Sequence, residues 1–368
     1  MKITINTIVD YNNYGNRLQN YALQEILQNL GHEVETLKNY TKKEAPFYIK
    51  LVNSIKEGDL KEKIKNKFTK DTVDYSLDSQ RVANFKKFTN DYIKETEKSV
   101  DQTSSDFSFL QDTECFVIGS DQVWNYNFTR FSDIDFALFS EASKISYAAS
   151  FGVSDIPKSL ENKYSEGLGQ IDFISVRERA GKKIVEKISD KTATVVLDPT
   201  MLLSKEQWKY LVNDSTQYEE PFILTYFLEE PLEVNNRYVY DYANKNGLQV
   251  KRLGTREDLE MWVSDPREFV NLFSQAEAVF TDSFHACVFA IIFEKYFEVF
   301  DRNTSMESMN SRIDTLLQDF DLENRWNRVG QNVQSEIDYV RVMELLQIRR
   351  TESLDFLKTA LKNVQISK

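Results

Sequence analysis

The sequence predicts an α/β protein built from two open, parallel-sheet domains that face each other across a cleft. Three observations predict it. The chain opens on a strand–loop–helix–strand unit, strand and helix patterns alternate again over residues 114–197, and the alternation restarts after Pro221. Strands joined by helical crossovers pair in parallel, so each run makes a sheet of its own. The length agrees: at roughly 150 residues per domain, 368 residues suggest two domains.

The elements follow in order. Ile3, Ile5 and Val9 with interleaved threonines predict a strand, and Tyr11-Asn-Asn-Tyr-Gly15-Asn16 predicts a loop. Leu18, Tyr21, Ala22, Ile26, Leu27 and Leu30 recur at helical spacing, Gly31 closes that helix, and His32–Leu37 reads as the next strand. Residues 42–70 interrupt the pattern with nine Lys against four acids and a loose apolar series. They read as a surface helical insertion, or as a basic amphipathic segment that makes peripheral contact with an anionic membrane. Short buried strands are expected at Glu114–Gly119, Ile145–Ser150, Ile171–Val176 and Thr192–Leu197, with helices near 157–168 and 178–189. Past the polar run Asn213–Gln217 come strands at Phe222–Phe227, Leu248–Leu253, Ala278–Thr281 and Phe297–Phe300, with helices at 233–246, 267–276 and 284–293 between them. The division expected is an N-terminal domain at 1–210, a second at 211–334, and a helical tail at 335–368. Two Rossmann-like halves of this kind form a GT-B-like arrangement, with the cleft at the carboxyl ends of the strands.

Composition narrows the functions. Hydrophobic residues at 41% and charged residues at 28% fit a soluble globular chain. With 46 Lys+Arg against 58 Asp+Glu the net charge is −12, which argues against general nucleic-acid binding. An anionic ligand would have to be met by a local cluster of Arg, His and backbone N–H groups. Cys115 and Cys287 sit inside apolar runs and read as buried, reduced thiols, so a cytoplasmic protein is expected. Two distant cysteines and two histidines argue against a Cys/His zinc site. Neither GxGxxG, a Walker-type loop nor GxSxG occurs, and Asp133-Ile-Asp135 is too common a triplet to imply a metal.

The chemistry concentrates in three strand ends. In Val279-Phe-Thr-Asp-Ser283-Phe-His285, a strand runs into an apolar helix with Ser283 at its N-cap and His285 in its first turn. That helix end attracts an anion, and its imidazole can donate to a phosphate or protonate a carbanion; the alternative is a histidine that merely satisfies the corner. In Ile174-Ser-Val-Arg177-Glu-Arg179, Arg177 would emerge into the cleft as a fork for phosphate or carboxylate, or else pair with Glu178 or Asp172. In Gly119-Ser120-Asp121-Gln122-Val-Trp124, a tight turn offers hydroxyl, carboxylate and amide, with Trp124 as a stacking face for a sugar or simply as core. In the first loop, Asn12, Gly15 and Asn16, with Arg17, have the same ligand-facing logic. Asp198 before Pro199 reads as a structural cap.

Together these residues resemble the polysaccharide pyruvyl transferase family. The resemblance rests on Asn13-Tyr-Gly-Asn-Arg-Leu-Gln-Asn-Tyr-Ala-Leu-Gln24, Gly119-Ser-Asp-Gln-Val-Trp-Asn125, Ser146-Tyr-Ala-Ala-Ser-Phe-Gly152, Ser175-Val-Arg-Glu178, Asp198-Pro199 and Thr281-Asp-Ser-Phe-His285, in the family's order. Ala286 departs from it, where relatives often carry Gly. The resemblance implies a GT-B-like fold and transfer of the enolpyruvyl unit of phosphoenolpyruvate onto a sugar of a cell-surface polysaccharide or its precursor, giving a pyruvate ketal. It implies no metal and no cofactor beyond phosphoenolpyruvate as co-substrate. His285 is the expected acid, and Arg177, Ser283 and Arg312 join it around the donor. Asn12, Gly15, Asn16, Ser120, Asp121, Gln122 and Trp124 are expected on the side of the acceptor, a glycan or lipid-linked oligosaccharide, with Asp121 as base. The competing expectations are a GT-B glycosyltransferase using a sugar nucleotide, and a non-catalytic glycan-binding relative.

Overall fold

The computed structural model describes residues 1–40, 75–212, 214–302, 311–327 and 336–366. The basic segment expected at 42–70 lies outside the described residues. The first sheet holds β1 (Lys2–Asn6), β2 (Glu33–Asn39), β3 (Glu95–Val100), β4 (Cys115–Ile118), β5 (Ser143–Ala149), β6 (Phe173–Val176) and β7 (Ala193–Val195), all parallel, in the order β3-β2-β1-β4-β5-β6-β7. The second holds β8 (Phe222–Tyr226), β9 (Gln249–Leu253), β10 (Ala278–Thr281), β11 (Tyr296–Phe300) and β12 (Trp326–Asn327), also parallel, in the order β12-β11-β10-β8-β9. Two doubly wound parallel sheets are the architecture the alternation of strands and helices predicts.

The helices described in the first half are α1 (Tyr14–Asn29), α2 (Tyr75–Tyr92), α3 (Glu161–Gly169), α4 (Arg179–Ile188) and α5 (Lys205–Leu211). The second half contributes α6 (Glu233–Asn246), α7 (Leu259–Trp262), α8 (Pro266–Gln275), α9 (Phe284–Ile292) and α10 (Ser311–Asp319), and α11 (Tyr339–Ile366) ends the chain. The first helix begins three residues earlier than the expected loop allows. The Asn13 side chain accepts from the Asn16 N–H, which caps the helix and draws Tyr14, Gly15 and Asn16 out of the expected loop. Its polar residues face inward rather than to water. Gln19 bonds Thr7 and the Ser120 N–H, Asn20 bonds Thr36, and Gln24 bonds the Tyr92 carbonyl and the Lys94 N–H. The amides of Gln19 and Gln24 are thus bonded through both nitrogen and oxygen, as burial of polar groups requires.

The terminal helix α11 turns back onto the first half. Ser353 Oγ accepts from the Leu197 N–H, and Arg350 donates to the carbonyls of Met201 and Leu203. Leu346, Leu357, Leu361 and Val364 are buried in the same apolar cluster as β1, α1 and the second-half helices α8 and α9. One cluster therefore spans both halves and the tail.

The halves are also pinned on both flanks of the cleft. On one flank Arg81 of α2 is buried between the rings of Tyr14, Phe85 and Trp262, and donates to the Trp262 carbonyl, the Asn12 carbonyl and the Tyr14 hydroxyl. On the other flank Arg179 of α4 reaches Thr315 and Asp319 of α10. Tyr14 also stacks on Phe269 at 5.0 Å and donates to the Ser264 carbonyl. Among the described residues no helix is long and apolar enough to cross a membrane.

If α11 is an integral part of the shared core, Leu357→Ala should cost about 2–5 kcal/mol of unfolding free energy, the usual loss for a fully buried leucine. Urea denaturation measures it, and a loss within about 0.5 kcal/mol, the range of a surface change, would detach the tail from the core.

Candidate active site

The strand ends singled out by sequence converge. The loops after β1, β4, β6 and β10 and the start of α10 bring Gly15, Asn16, Asp121, Arg177, Ser283, His285 and Arg312 to one region between the halves. Its centre is Asp198, which precedes a short turn after β7. Asp198 Oδ1 accepts from the Thr200 N–H and hydroxyl, the cap that its place before Pro199 predicts. Its other oxygen does more. Oδ2 accepts from Arg177 Nη1 at 2.7 Å and Ser120 Oγ at 2.9 Å, and lies 3.6 Å from His285 Nε2. Asp198 was legible only as a cap, because nothing in a linear sequence announces that its second oxygen meets two other loops.

Arg177 is buried together with its counterions. Besides Asp198 it faces Asp121 at 3.6 Å, and its guanidinium lies over the Phe284 ring at 4.4 Å. It therefore forms an ion pair, but with Asp198 and Asp121 rather than with Glu178 or Asp172. Burial alone would raise the Asp198 carboxyl, yet the proximity of His285 and the charge of Arg177 hold it far below the usual carboxylate range. Asp121 balances in the same way, with burial raising its pKa and Arg177 and His285 lowering it further, so it too lies below the ordinary value. Asn16 Nδ2 fixes Asp121 Oδ2 at 3.0 Å. Arg17 in turn holds Asn16 through Nε and Nη2, and pairs with Glu95 at 3.5 Å. Arg17 is thus a buried support, not a ligand-facing group.

His285 stands in the first turn of α9, whose N-cap Ser283 makes no capping bond with its own side chain. The first N–H groups of a helix have no partner within it and carry its positive dipole end. The imidazole rests against Gly15: a Cβ there would lie 2.0 Å from His285 Nδ1. This is why the first turn of α1 needs glycine, a close approach rather than an unusual backbone angle. Gly119 is needed for both reasons, with φ at +108° and the Tyr147 carbonyl 2.5 Å from where a Cβ would be.

A small pocket of about 60 Å³ opens beside His285, lined by Asn13, Gly15, Asp121, Gln122, Ser283 and Phe284, and by two arginines, Arg302 and Arg312. Burial, and then the charge of Arg177, pulls Arg312 down to about 10. Arg302 was not foreseen. It follows β11, donates to the Asp282 carbonyl and pairs with the Asp282 carboxylate at 3.5 Å.

Other expected residues fall elsewhere. Trp124 is fully buried, its Nε1 donating to the Asp135 carbonyl, so it packs in the core and offers no face to a sugar. Ser120 is buried too and its hydroxyl is spent on Asp198, while Asn12 is exposed on a neighbouring groove. The Asp133–Asp135 pair is structural: Asp135 pairs with buried Arg130 and caps Ser132, and Asp133 meets Lys163. Among the described residues no cluster of His, Cys, Asp or Glu is arranged to hold a metal ion, and both cysteines are buried free thiols.

Two measurements probe this arrangement. A carboxylate whose folded pKa is depressed contributes stability above its unfolded value, and that stability is lost as pH falls towards the folded pKa. Asp198→Asn should therefore cost about 3–5 kcal/mol near neutral pH, the loss expected for a broken buried pair, as read by equilibrium unfolding. The gap to wild type should shrink below roughly pH 4, where the unfolded carboxylate protonates; an equal gap at about pH 3 would contradict the depressed pKa. Gly15→Ala should keep the fold but displace the imidazole, with a rate loss on the order of 10²-fold for misplacement by about an ångström. Steady-state kinetics beside a melting curve separates the two effects.

Comparison with known proteins bears on the fold and the family. The chain is similar in fold to the Listeria monocytogenes protein described as a UDP-N-acetylglucosamine 2-epimerase, at 12% identity and TM-score 0.50, covering 97% of this chain and 90% of that one. It is also similar to the UDP-GlcNAc 2-epimerase of Methanocaldococcus jannaschii, at 12% identity and TM-score 0.49, covering 95% and 93%. The fold is GT-B-like. None of the curated proteins compared matches the sequence. Residues 13–304, which hold all six segments quoted for the resemblance but neither Asn12 nor Arg312, match the family described as polysaccharide pyruvyl transferase, and the chain belongs to that family.

Proposed function

We propose that the protein transfers the enolpyruvyl unit of phosphoenolpyruvate onto a sugar of a cell-surface polysaccharide or its precursor, and closes it as a pyruvate ketal. The observation that carries this reading is the pocket in which an imidazole, a helix start and two arginines meet. Those are the groups that a small phosphorylated carboxylate requires: cations for its charge and one acid for its methylene carbon. The pocket is also small. Its 60 Å³ is far below the roughly 300–1,000 Å³ that holds a drug-sized molecule, which favours a three-carbon phosphate over a sugar nucleotide.

In this reading Arg302, Arg312 and the N–H groups of α9 hold the phosphate and carboxylate, while Arg177 lies behind Phe284, paired with Asp198 and Asp121. His285 gives a proton to the methylene carbon, and the C2 centre becomes cationic. A sugar hydroxyl attacks C2 and passes its proton to Asp121, the one carboxylate among the residues lining the pocket. A carboxylate held below its ordinary pKa is a weak base, but attack on a cationic carbon asks little of it. The C2–O bond to phosphate then breaks, and a second hydroxyl of the same acceptor closes the ketal. Asp121 hands the first hydroxyl's proton to the departing phosphate, and the second hydroxyl's proton restores His285. Asp198 is the ion-pair partner within reach of the imidazolium whenever it forms.

The test is mass spectrometry of candidate lipid-linked or nitrophenyl glycosides incubated with phosphoenolpyruvate and the protein. The expected result is a pyruvate-ketal mass gain with matching phosphate release, and His285→Ala should lose about 10²–10⁴ of the rate, the usual worth of a general acid. Full activity in that variant would remove His285 from the acid's role, and mass gain with a sugar nucleotide alone would favour a glycosyltransferase.

A further inference from the structure

One hydroxyl on the pocket takes no part in the network around Asp198. Tyr226 ends β8, the strand beside β10, and lines the pocket together with His285. Ligands of parallel sheets bind at the carboxyl ends of the strands, and Tyr226 stands there, level with Thr281, whose hydroxyl donates to the Tyr226 carbonyl. Tyr226 and His285 then meet consecutive residues of the first turn of α1. The Tyr226 ring meets the Tyr14 ring edge-on at 5.7 Å, and the imidazole rests on Gly15. We infer that the Tyr226 hydroxyl is a ligand-binding group of this pocket and donates a hydrogen bond to an anionic oxygen of the phosphorylated molecule that His285 meets. That this molecule is phosphoenolpyruvate rests on the pyruvyl-transfer reading; the role of the hydroxyl does not.

The state of the hydroxyl argues for a ligand rather than a structural task. Tyr226 is 5% exposed, its hydroxyl has no hydrogen-bond partner among the described residues, and it is not one of the sealed polar atoms of the core. The pocket is therefore where that hydroxyl meets water. A nearly buried donor without a partner is a cost to the fold, and a ligand that accepts from it removes the cost. Its polar neighbours on the pocket wall are already engaged: Asn13 and Asp121 bond Asn16, and Gln122 bonds Asn125. Donation by Tyr226 breaks no such internal bond. The ring is also in place before any ligand arrives. Phe269 meets it edge-on at 5.5 Å, and the Gly254 backbone is so near that a Cβ there would lie 2.9 Å from Cε2. A fixed ring lowers the ordering cost of binding. Burial pushes the phenol above its ordinary pKa, so the oxygen keeps its proton and remains a donor. A hydrogen bond from such a group to an anion is among the stronger kinds.

The experiment is isothermal titration of the full chain and of Tyr226→Phe with phosphoenolpyruvate, inorganic phosphate and UDP-N-acetylglucosamine, beside melting curves without ligand. The substitution removes one oxygen and keeps the ring between Tyr14 and Phe269. It should weaken phosphoenolpyruvate binding about ten- to hundredfold, the worth of one hydrogen bond to a charged group. The ligand-free melting temperature should stay at or above that of wild type, because no internal bond is lost. A similar loss with inorganic phosphate would put the bond on the phosphoryl oxygens, and a loss with phosphoenolpyruvate alone would put it on the carboxylate; either supports the inference. Unchanged affinity for every probe that binds wild type, a clearly lower melting temperature, or binding of no probe at all would each overturn it. If phosphoenolpyruvate leaves wild type unaffected while phosphate or the nucleotide sugar binds and is weakened in Tyr226→Phe, the hydroxyl keeps its role and the transfer reading falls. If phosphoenolpyruvate binds both proteins equally, the hydroxyl loses its role and the transfer reading stands.

Discussion

The structure turns on one buried carboxylate. Asp198 lets a guanidinium and an imidazole be stored together at the meeting of two halves, where neither would be stable alone. An unpaired buried charge costs several kcal/mol, so the pairing of Arg177 with Asp198 and Asp121 decides whether the region can form at all. Ser120 and Thr200 complete the shell around the carboxylate, and Asn16 and Arg17 carry the order outward to Glu95 at the edge of the first sheet. The bonds from Ser120 and Arg177 fix Asp198 Oδ2, the oxygen that lies 3.6 Å from His285 Nε2.

Two helix starts meet at this carboxylate, and Gly15 makes their meeting possible. α1 and α9 come from different halves, and the side chain of one rests on the bare backbone of the other. The position is held from outside by Arg81, which bonds the Asn12 carbonyl and the Tyr14 hydroxyl while stacking on Trp262 of the second half. Closure of the cleft and placement of the imidazole are therefore parts of one packing problem. The single apolar cluster running through α1, α8, α9 and α11 makes the halves a shared body around it.

Much of this was legible in the sequence, and the exceptions have physical causes. Both parallel sheets follow from strands such as Val279–Thr281, apolar on both faces, each running into a periodic helix. The strand β3, Glu-Thr-Glu-Lys-Ser-Val, was not legible, because an edge strand half open to water carries no apolar run. Helix α2 escaped for a related reason: its buried face is built on Arg81, Phe85, Phe88 and Thr89, and a stacked arginine does not read as core. At the site, His285 and Arg177 were visible as strand-end chemistry. Arg302 and the second role of Asp198 were not, since each depends on a contact between segments far apart in the chain. Trp124 misled because a tryptophan after a polar turn looks the same whether it faces a sugar or the core; only its bond to the Asp135 carbonyl distinguishes them.

The central claim is that the His285 pocket receives a small phosphorylated carboxylate. Phosphorus NMR tests it most directly, by titrating the protein into phosphoenolpyruvate and, separately, into UDP-N-acetylglucosamine. The phosphoenolpyruvate resonance should broaden and shift with wild type, the effect should weaken sharply in Arg312→Ala, and the nucleotide signals should stay unchanged. Movement of the diphosphate resonances with phosphoenolpyruvate unaffected would contradict it.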